Sequence, residues 1–175
     1  MIRSEAIEVL SRRLGISPGR LAALAQRAAN GGLLPKARGR GVPTLGHLHL
    51  SKILICAIAD RGLARAPRSI TDYSGLFARN GAVLIDLIEG WIRGAVPLSG
   101  VRHLIVQIEP EPAATIISHG GEHLNFGPDR SRDAAARTVI VPGSTLAAIA
   151  AEFRGASPNQ ADEQVAVAKL AAALN

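Results

Sequence analysis

The chain has 175 residues, a length that suits one large domain or two small ones. Hydrophobic residues make up 47% of it and aromatic residues only 3%, so its core must consist of small and aliphatic side chains, a composition that favours helices. Cys56 is the only cysteine, which excludes an internal disulfide and a CxxC metal site. The apolar runs are far shorter than the ~20 residues of a membrane span, and the first residues lack the features of a secretory signal. We therefore expect a cytoplasmic protein that does not act at a membrane.

The net charge of +6 is divided unevenly along the chain. Residues 1–69 hold twelve cations and three anions, a net charge of +9, whereas residues 70–175 hold eight cations and eleven anions, a net charge of −3. A positive field concentrated in one region is what a surface that binds polyanions needs. Nucleic acid is the expected partner. An anionic membrane surface is the weaker alternative, because no basic helix also has the bulky apolar face of an interfacial anchor.

Two short helices separated by a tight turn are predicted at the start of the chain. Ser4 is expected to cap the first helix, and Gly15 to end it in a left-handed conformation. Ser17 is expected to cap the second, with Pro18 at its first position, where no amide hydrogen is needed, and Asn30 at its end.

Residues 35–41 combine glycine with positive charge, which predicts an exposed loop or a short β-wing. Thr44 is expected to cap a third helix over Leu45–Asp60 that is apolar on most faces and therefore central and buried. The proline-containing, basic stretch Leu63–Ser69 predicts a connector.

The second half of the chain changes from helical to strand periodicity. Residues 70–94 have helical spacing, with a break near Asn80–Gly81. Four β-branched or alternating stretches after Pro97 predict strands. These are Val101–Ile108, Ala113–Ser118, His123–Phe126 and Arg137–Val141. A helix capped by Ser144 is expected to reach Phe153, and an Ala-rich helix to follow Pro158 and end at Leu174.

The segment Leu10–Leu24 has the pattern of a helix-turn-helix. That motif needs apolar residues that hold two helices together, a small residue at the turn, and basic residues on the face presented to a DNA groove. The apolar positions are Leu10, Leu14, Ile16, Leu21 and Leu24, and the basic ones are Arg12, Arg13, Arg20 and Arg27. The alternative interpretation is an ordinary helical hairpin with solvated arginines.

The order of these features resembles a known family. The helix pair, the segment Gly32–Pro35, a basic Gly-rich wing and a third helix near Thr44 are similar to the DNA-binding head of MerR-type winged-helix regulators and of prophage-associated DNA-binding proteins. The resemblance covers about the first 60 residues. It implies DNA-facing roles for Arg20 and Arg27. It does not extend to metal sensing, since the chain lacks a C-terminal cysteine cluster.

The resemblance also implies wing contacts for Lys36, Arg38 and Arg40. Guanidinium groups match phosphate oxygens, so Arg38 and Arg40 are expected to position the protein on the DNA backbone without reading sequence. The alternative is a solvated loop. Arg20, near the start of the second helix, is the predicted contact to a base edge.

The histidines are the best candidates for a metal or catalytic site. His119 and His123 are four residues apart, but the two glycines between them disrupt the helix on which that spacing would bring the rings together. No GxSxG, GxxxxGK[ST] or GxGxxG motif follows a strand. We therefore expect neither a cofactor nor enzymatic activity.

The sequence as a whole predicts an α+β protein: a winged-helix-like DNA-binding domain at residues 1–69, and a helical connector with a small antiparallel sheet and one or two helices at residues 70–175. The expected function is sequence-specific DNA binding in transcription regulation. The alternatives are a phage-type DNA-packaging or recruitment factor and an adaptor that binds RNA polymerase. A homodimer is expected through apolar surface on the sheet. The residues predicted to supply that surface are Val101, Leu104, Val106, Ile116 and Val139.

Overall fold

The computed structural model describes residues 1–36, 41–128 and 135–173, which form an α+β fold as predicted. The helices of these ranges are α1 (Arg3–Leu14), α2 (Pro18–Asn30), α3 (His47–Ile58), α4 (Ala66–Ser74), α5 (Leu84–Arg93), α6 (Gly143–Phe153) and α7 (Pro158–Ala173). A 3₁₀ turn, Leu63–Arg65, precedes α4. The strands are β1 (Val101–Glu109), β2 (Ala113–Ser118), β3 (His123–Phe126) and β4 (Arg137–Pro142).

The signals that mark the ends of α1 and α2 are mostly confirmed. Gly15 has φ +68° and its amide donates to the carbonyl of Ser11 over 3.0 Å, so the predicted left-handed stop is present. Ser17 caps α2 by accepting a hydrogen bond from the Arg20 amide. The predicted cap at Ser4 is wrong, because α1 begins two residues earlier: Ile2 is the capping residue, and its amide donates to the Glu5 carboxylate over 2.8 Å.

Two predicted boundaries in the next part of the chain are also wrong. α3 begins after Gly46 rather than after Thr44, because Thr44 pairs with Ile2 in an isolated β-bridge. The expected connector is instead the 3₁₀ turn and the first half of α4, where Pro67 occupies one of the first two helical positions and so breaks no hydrogen bond. The predicted burial of α3 is confirmed from Ile53 to Ile58.

The four strands form one antiparallel sheet in the order β3-β2-β1-β4. Leu104 of the central strand β1 lies opposite Ile116 on one side and Val141 on the other, and these side chains form the core face of the sheet. α6 packs on β1 and β4. It begins at Gly143 with Pro142 as the capping residue, so the predicted cap at Ser144 is wrong by two residues.

The apolar surface expected on the sheet is largely interior. Leu104, Val106 and Ile116 are buried and Val101 is half-buried, which corrects the prediction that they supply an exposed face. Val139 alone of the five is exposed, on the edge strand β4. The reason is that helices cover the face of the sheet on which these residues lie.

One apolar core extends from α1 to α6. The predicted domain boundary between residues 69 and 70 lies inside α4, whose buried residues include Ser69, Ile70 and Tyr73. α1 packs directly on α6, so the first and last parts of the chain are also in contact. Cutting the chain at that boundary would expose core residues on both fragments.

Candidate nucleic-acid interface

The helical corner formed by α1 and α2 places one face of α2 in solvent. Leu21 and Leu24 are buried against the neighbouring helices, and Ala28 continues the buried stripe. The side of α2 that faces away from this stripe is exposed. Its members are Gly19, Ala22, Gln26, Arg27 and Asn30.

This exposed side, which we call the α2 face, has the chemistry that base edges recognise. Gln26 and Asn30 are one turn apart, and the Gln26 amide donates to the Asn30 side chain over 3.0 Å. Asn and Gln pair with adenine in the major groove and Arg pairs with guanine. The remaining positions, Gly19 and Ala22, are small, so another molecule can approach the helix closely. Gln26 and Asn30 are not among the DNA contacts predicted from the sequence, although they are four residues apart on a predicted helix.

The predicted base contact, Arg20, is engaged within the protein. Its Nε and Nη2 atoms each donate to the Asp60 carboxylate over 2.8 Å. Asp60 Oδ1 also accepts from the amide of Gly62 over 2.9 Å. This bidentate pair connects the first turn of α2 to the segment after α3. A contact between Arg20 and a base stays a prediction, and it requires Arg20 to leave Asp60.

Arg12 and Arg13 are likewise engaged, and their partners lie at the other end of the sequence. Both donate to the carboxylate of Glu152 on α6, with 2.6 Å between Arg13 Nε and Glu152 Oε1. Arg13 Nη1 also reaches Asp162 on α7 over 2.5 Å. Burial alone would lower the pKa of Arg13, but the hydrogen bonds that it donates to Asp162 and Glu152 raise the pKa above its ordinary value. In this structure the two arginines hold α1 against α6 and α7.

Arg27 and Lys36 remain open to solvent. Within the described residues neither has a carboxylate partner, and the same is true of Arg65. Pro67 packs so closely on the end of α2 that a Cβ added to Gly31 would lie 2.9 Å from the Pro67 Cβ. Arg65 and Arg68, on either side of Pro67, therefore lie next to α2. We call Arg27, Lys36, Arg65 and Arg68 the basic rim.

The two ends of the predicted wing lie close to the start of α1. Pro35 accepts a hydrogen bond from the Arg3 guanidinium, and Thr44 pairs with Ile2. Arg3 also donates to Gln26 over 3.2 Å. The segment between Pro35 and Thr44 therefore begins and ends beside the start of α1, where Arg3 contacts Gln26 of the α2 face. Arg38 and Arg40 lie outside the described residues.

The pair between Arg20 and Asp60 makes a testable contribution to stability. Burial would raise the pKa of Asp60, but the hydrogen bonds from Arg20 and the Gly62 amide outweigh it and lower the pKa below its ordinary value of 3.8. A carboxylate with a depressed pKa stabilises the fold above its unfolded-state pKa, and this stabilisation is lost as the pH falls through the folded-state value. Asp60→Asn should therefore cost about 1 kcal/mol at neutral pH and progressively less below pH 3.8.

Urea unfolding of the wild type and of Asp60→Asn at a series of pH values measures this difference. Glu8→Gln is a suitable control, because Glu8 is exposed on α1 and has no cationic partner among the described residues. A difference between wild type and Asp60→Asn that stays constant down to the acid transition would contradict the assignment.

Other kinds of site find less support in the described ranges. They contain no cluster of three or more His, Cys, Asp or Glu residues that could hold a metal ion, and none of their helices combines the length and apolar character needed to cross a bilayer. Cys56 is 2% exposed, and burial raises the pKa of its thiol to about 12, so it is a poor nucleophile.

Comparison of the sequence with protein-family models and with curated proteins, and of the fold with solved structures, gave no match.

Proposed function

We propose that this chain binds double-stranded DNA in a sequence-specific manner and acts in transcription regulation. The observation that carries the proposal is the α2 face, a helix surface of small residues and of Gln26, Arg27 and Asn30 that is open to solvent and bordered by the basic rim. Within the described residues Arg68 of the rim lies 3.6 Å from the Asp72 carboxylate, and the other three rim cations have no carboxylate partner. The +9 charge of residues 1–69 supports it.

In the proposed complex α2 lies in the major groove. Gly19 and Ala22 let the helix approach, while Gln26, Arg27 and Asn30 contact base edges. Lys36, Arg65 and Arg68 of the basic rim bind phosphates and fix the orientation without reading sequence. Arg38 and Arg40 are expected to extend the same contact from the wing. Arg12, Arg13 and Arg20 do not contact DNA in this proposal, because their guanidinium groups bind carboxylates within the protein. Their role is to hold α1 and α2 in position.

This proposal moves the predicted base contact from Arg20 to Arg27. A binding site would first be selected from random duplexes, and its affinity then measured by fluorescence anisotropy at several salt concentrations. Arg27→Ala should cost about 1–3 kcal/mol on the selected site and relax preference at one base pair. Arg20→Ala should lower stability and leave base preference unchanged. If Arg20→Ala relaxes base preference and Arg27→Ala does not, the base contact belongs to Arg20.

The basic rim should affect all sequences equally. The double variant Lys36→Ala/Arg65→Ala should weaken binding to matched and mismatched duplexes alike, and it should lower the salt slope by roughly two, since each lost phosphate contact contributes about 0.9. Arg102→Ala/Lys169→Ala removes the same charge from the C-terminal part and is the matched control. Equal losses in the two double variants would indicate a general charge effect, and a wild-type protein that selects no sequence would overturn the proposal.

A homodimer, which would suit paired half-sites, is proposed through the edge strand β4. Ile140 is 58% exposed there and Val139 37%, and an open edge strand with apolar side chains invites pairing with another chain. Sedimentation equilibrium of the wild type and of Ile140→Lys tests this proposal. A monomeric wild type at all concentrations would contradict it. A larger closed ring would instead favour the DNA-packaging alternative.

A further inference from the structure

A cleft of about 580 Å³ lies between the second half of α7, the start of α6 and the start of β1. Its volume is within the range of small-molecule sites, roughly 300–1,000 Å³. The apolar part of its wall consists of Leu98, Val101, Ala147, Val165 and Ala168. Because these side chains line an open cleft, its wall offers apolar surface that nothing among the described residues covers.

The two charged side chains around the cleft are both cations. Arg102 and Lys169 line it together with the imidazoles of His103 and His119. None of its described lining residues is an Asp or Glu, and Arg102, Lys169 and His119 have no carboxylate partner within the described ranges. This differs from Arg12, Arg13 and Arg20, which are all paired. The positive charge at the cleft is therefore left for a ligand to neutralise.

The attachment of α7 is consistent with a ligand beside it. α7 packs on α6 through small side chains, Ala161 against Ala148 and Ala151, with Val165 at the margin. Farther along, Val167 is 60% exposed and Leu170 66% exposed. The second half of α7 thus forms one wall of the cleft without closing it. An apolar molecule in the cleft would extend the packing between α7 and the rest of the protein.

We propose that this cleft binds a small amphiphilic anion, with its carboxylate or phosphate group held by Arg102 and Lys169 and its apolar body against Val101, Ala147 and Ala168. The first turn of α6, where Gly143 and Ser144 line the cleft, adds a favourable dipole for the anionic group. The proposal does not depend on DNA binding, because no residue of the α2 face or the basic rim lines the cleft.

The probes are octanoate and octyl phosphate, with octanol as the neutral compound of matched chain length and inorganic phosphate as the isolated head group. Isothermal titration calorimetry should show that octanoate or octyl phosphate binds at least about tenfold more tightly than octanol, because hydrogen bonds to a charged group are the strong ones. The better of the two anions identifies the head group. Inorganic phosphate should bind more weakly than octyl phosphate. Equal affinity for octanoate, octyl phosphate and octanol would overturn the proposal.

Variants then locate the site. Arg102→Ala/Lys169→Ala should reduce the affinity for the anion about tenfold or more and leave the affinity for octanol unchanged, whereas Arg27→Ala/Arg65→Ala should have no effect. Ala147→Phe should block binding of the amphiphilic anion and of octanol, because the phenyl ring would fill the apolar part of the cleft. If Ala147→Phe does not fold, amide chemical-shift changes in the wild type provide a second measurement. Changes centred on Val101, Ala147 and Ala168 support the site, and changes elsewhere contradict it.

Discussion

The double variant Arg12→Ala/Arg13→Ala should lose about 3–5 kcal/mol of its free energy of unfolding. The reason is the environment of Glu152, whose side chain is 3% exposed and whose carboxylate receives hydrogen bonds from both arginines. Removal of both cations leaves a charged carboxylate buried without a partner. Whole domains are commonly stable by only about 5–15 kcal/mol, so this loss is a large share of the total.

Urea unfolding at neutral pH measures the effect, and a third substitution separates its causes. Arg12→Ala/Arg13→Ala/Glu152→Leu removes the buried charge as well and should recover much of the lost stability, because an apolar side chain can replace a buried ion pair at little cost. The matched control is Arg27→Ala/Arg65→Ala, which deletes two exposed arginines and should change stability by less than about 1 kcal/mol. A double variant as stable as that control would show that Glu152 does not need the two cations.

The same double variant bears on the DNA-binding roles predicted for Arg12 and Arg13. A loss of DNA affinity in an unfolded sample says nothing about contact with DNA. Binding should therefore be compared between wild type and the triple variant, which lacks both arginines and is expected to retain the fold. We expect similar affinities, since the structure uses both guanidinium groups to join α1 to α6.

Gly143→Ala should destabilise the fold by more than about 3 kcal/mol, beyond the usual range for an added methyl group. α6 begins directly after β4 and crosses the start of β1 so closely that a Cβ on Gly143 would lie 1.8 Å from the Val101 carbonyl oxygen and 2.7 Å from the carbonyl carbon. Both atoms are backbone, so no side-chain rotation can relieve the contact. Either the strand pairing of β1 with β4 or the start of α6 must shift.

Thermal or urea unfolding of Gly143→Ala against Gly100→Ala is the direct comparison. Gly100 precedes β1, and a Cβ added there meets no atom within 4 Å. Gly100→Ala should therefore remain within about 0.5 kcal/mol of the wild type. Equal effects from the two substitutions would show that α6 adjusts to the added atom. Gly143 also lines the cleft beside α7, so the affinity of a folded Gly143→Ala protein for octanoate can be measured as well.

Local signals determined the secondary structure with few errors. Gly15 ends α1 because glycine adopts positive φ without strain. Ser17 and Pro18 begin α2 because the Ser17 side chain caps the helix and Pro18 lacks an amide hydrogen at a position where that hydrogen would have no partner within the helix. β2 and β3 have the predicted bounds, since Gly or Pro lies within two residues of each strand end. The errors at Ser4, Leu63–Ser69 and Ser144 are shifts of a helix start by a few residues. The error at Thr44 has a tertiary cause, because the bridge between Thr44 and Ile2 delays the start of α3.

The candidate site depended more heavily on tertiary structure. The sequence by itself determined that residues 1–69 are basic and that α1 and α2 carry arginines, because charge and helical spacing are local properties. It did not determine which arginines are free. Arg20 pairs with a carboxylate 40 residues away and Arg12 with one 140 residues away, and only the packing of α1 on α6 and of α2 beside the end of α3 brings those groups together. Glu152 stands out in an otherwise apolar helix, but its partners could not be read from that helix, because an ion pair is defined by the position of both charges in space.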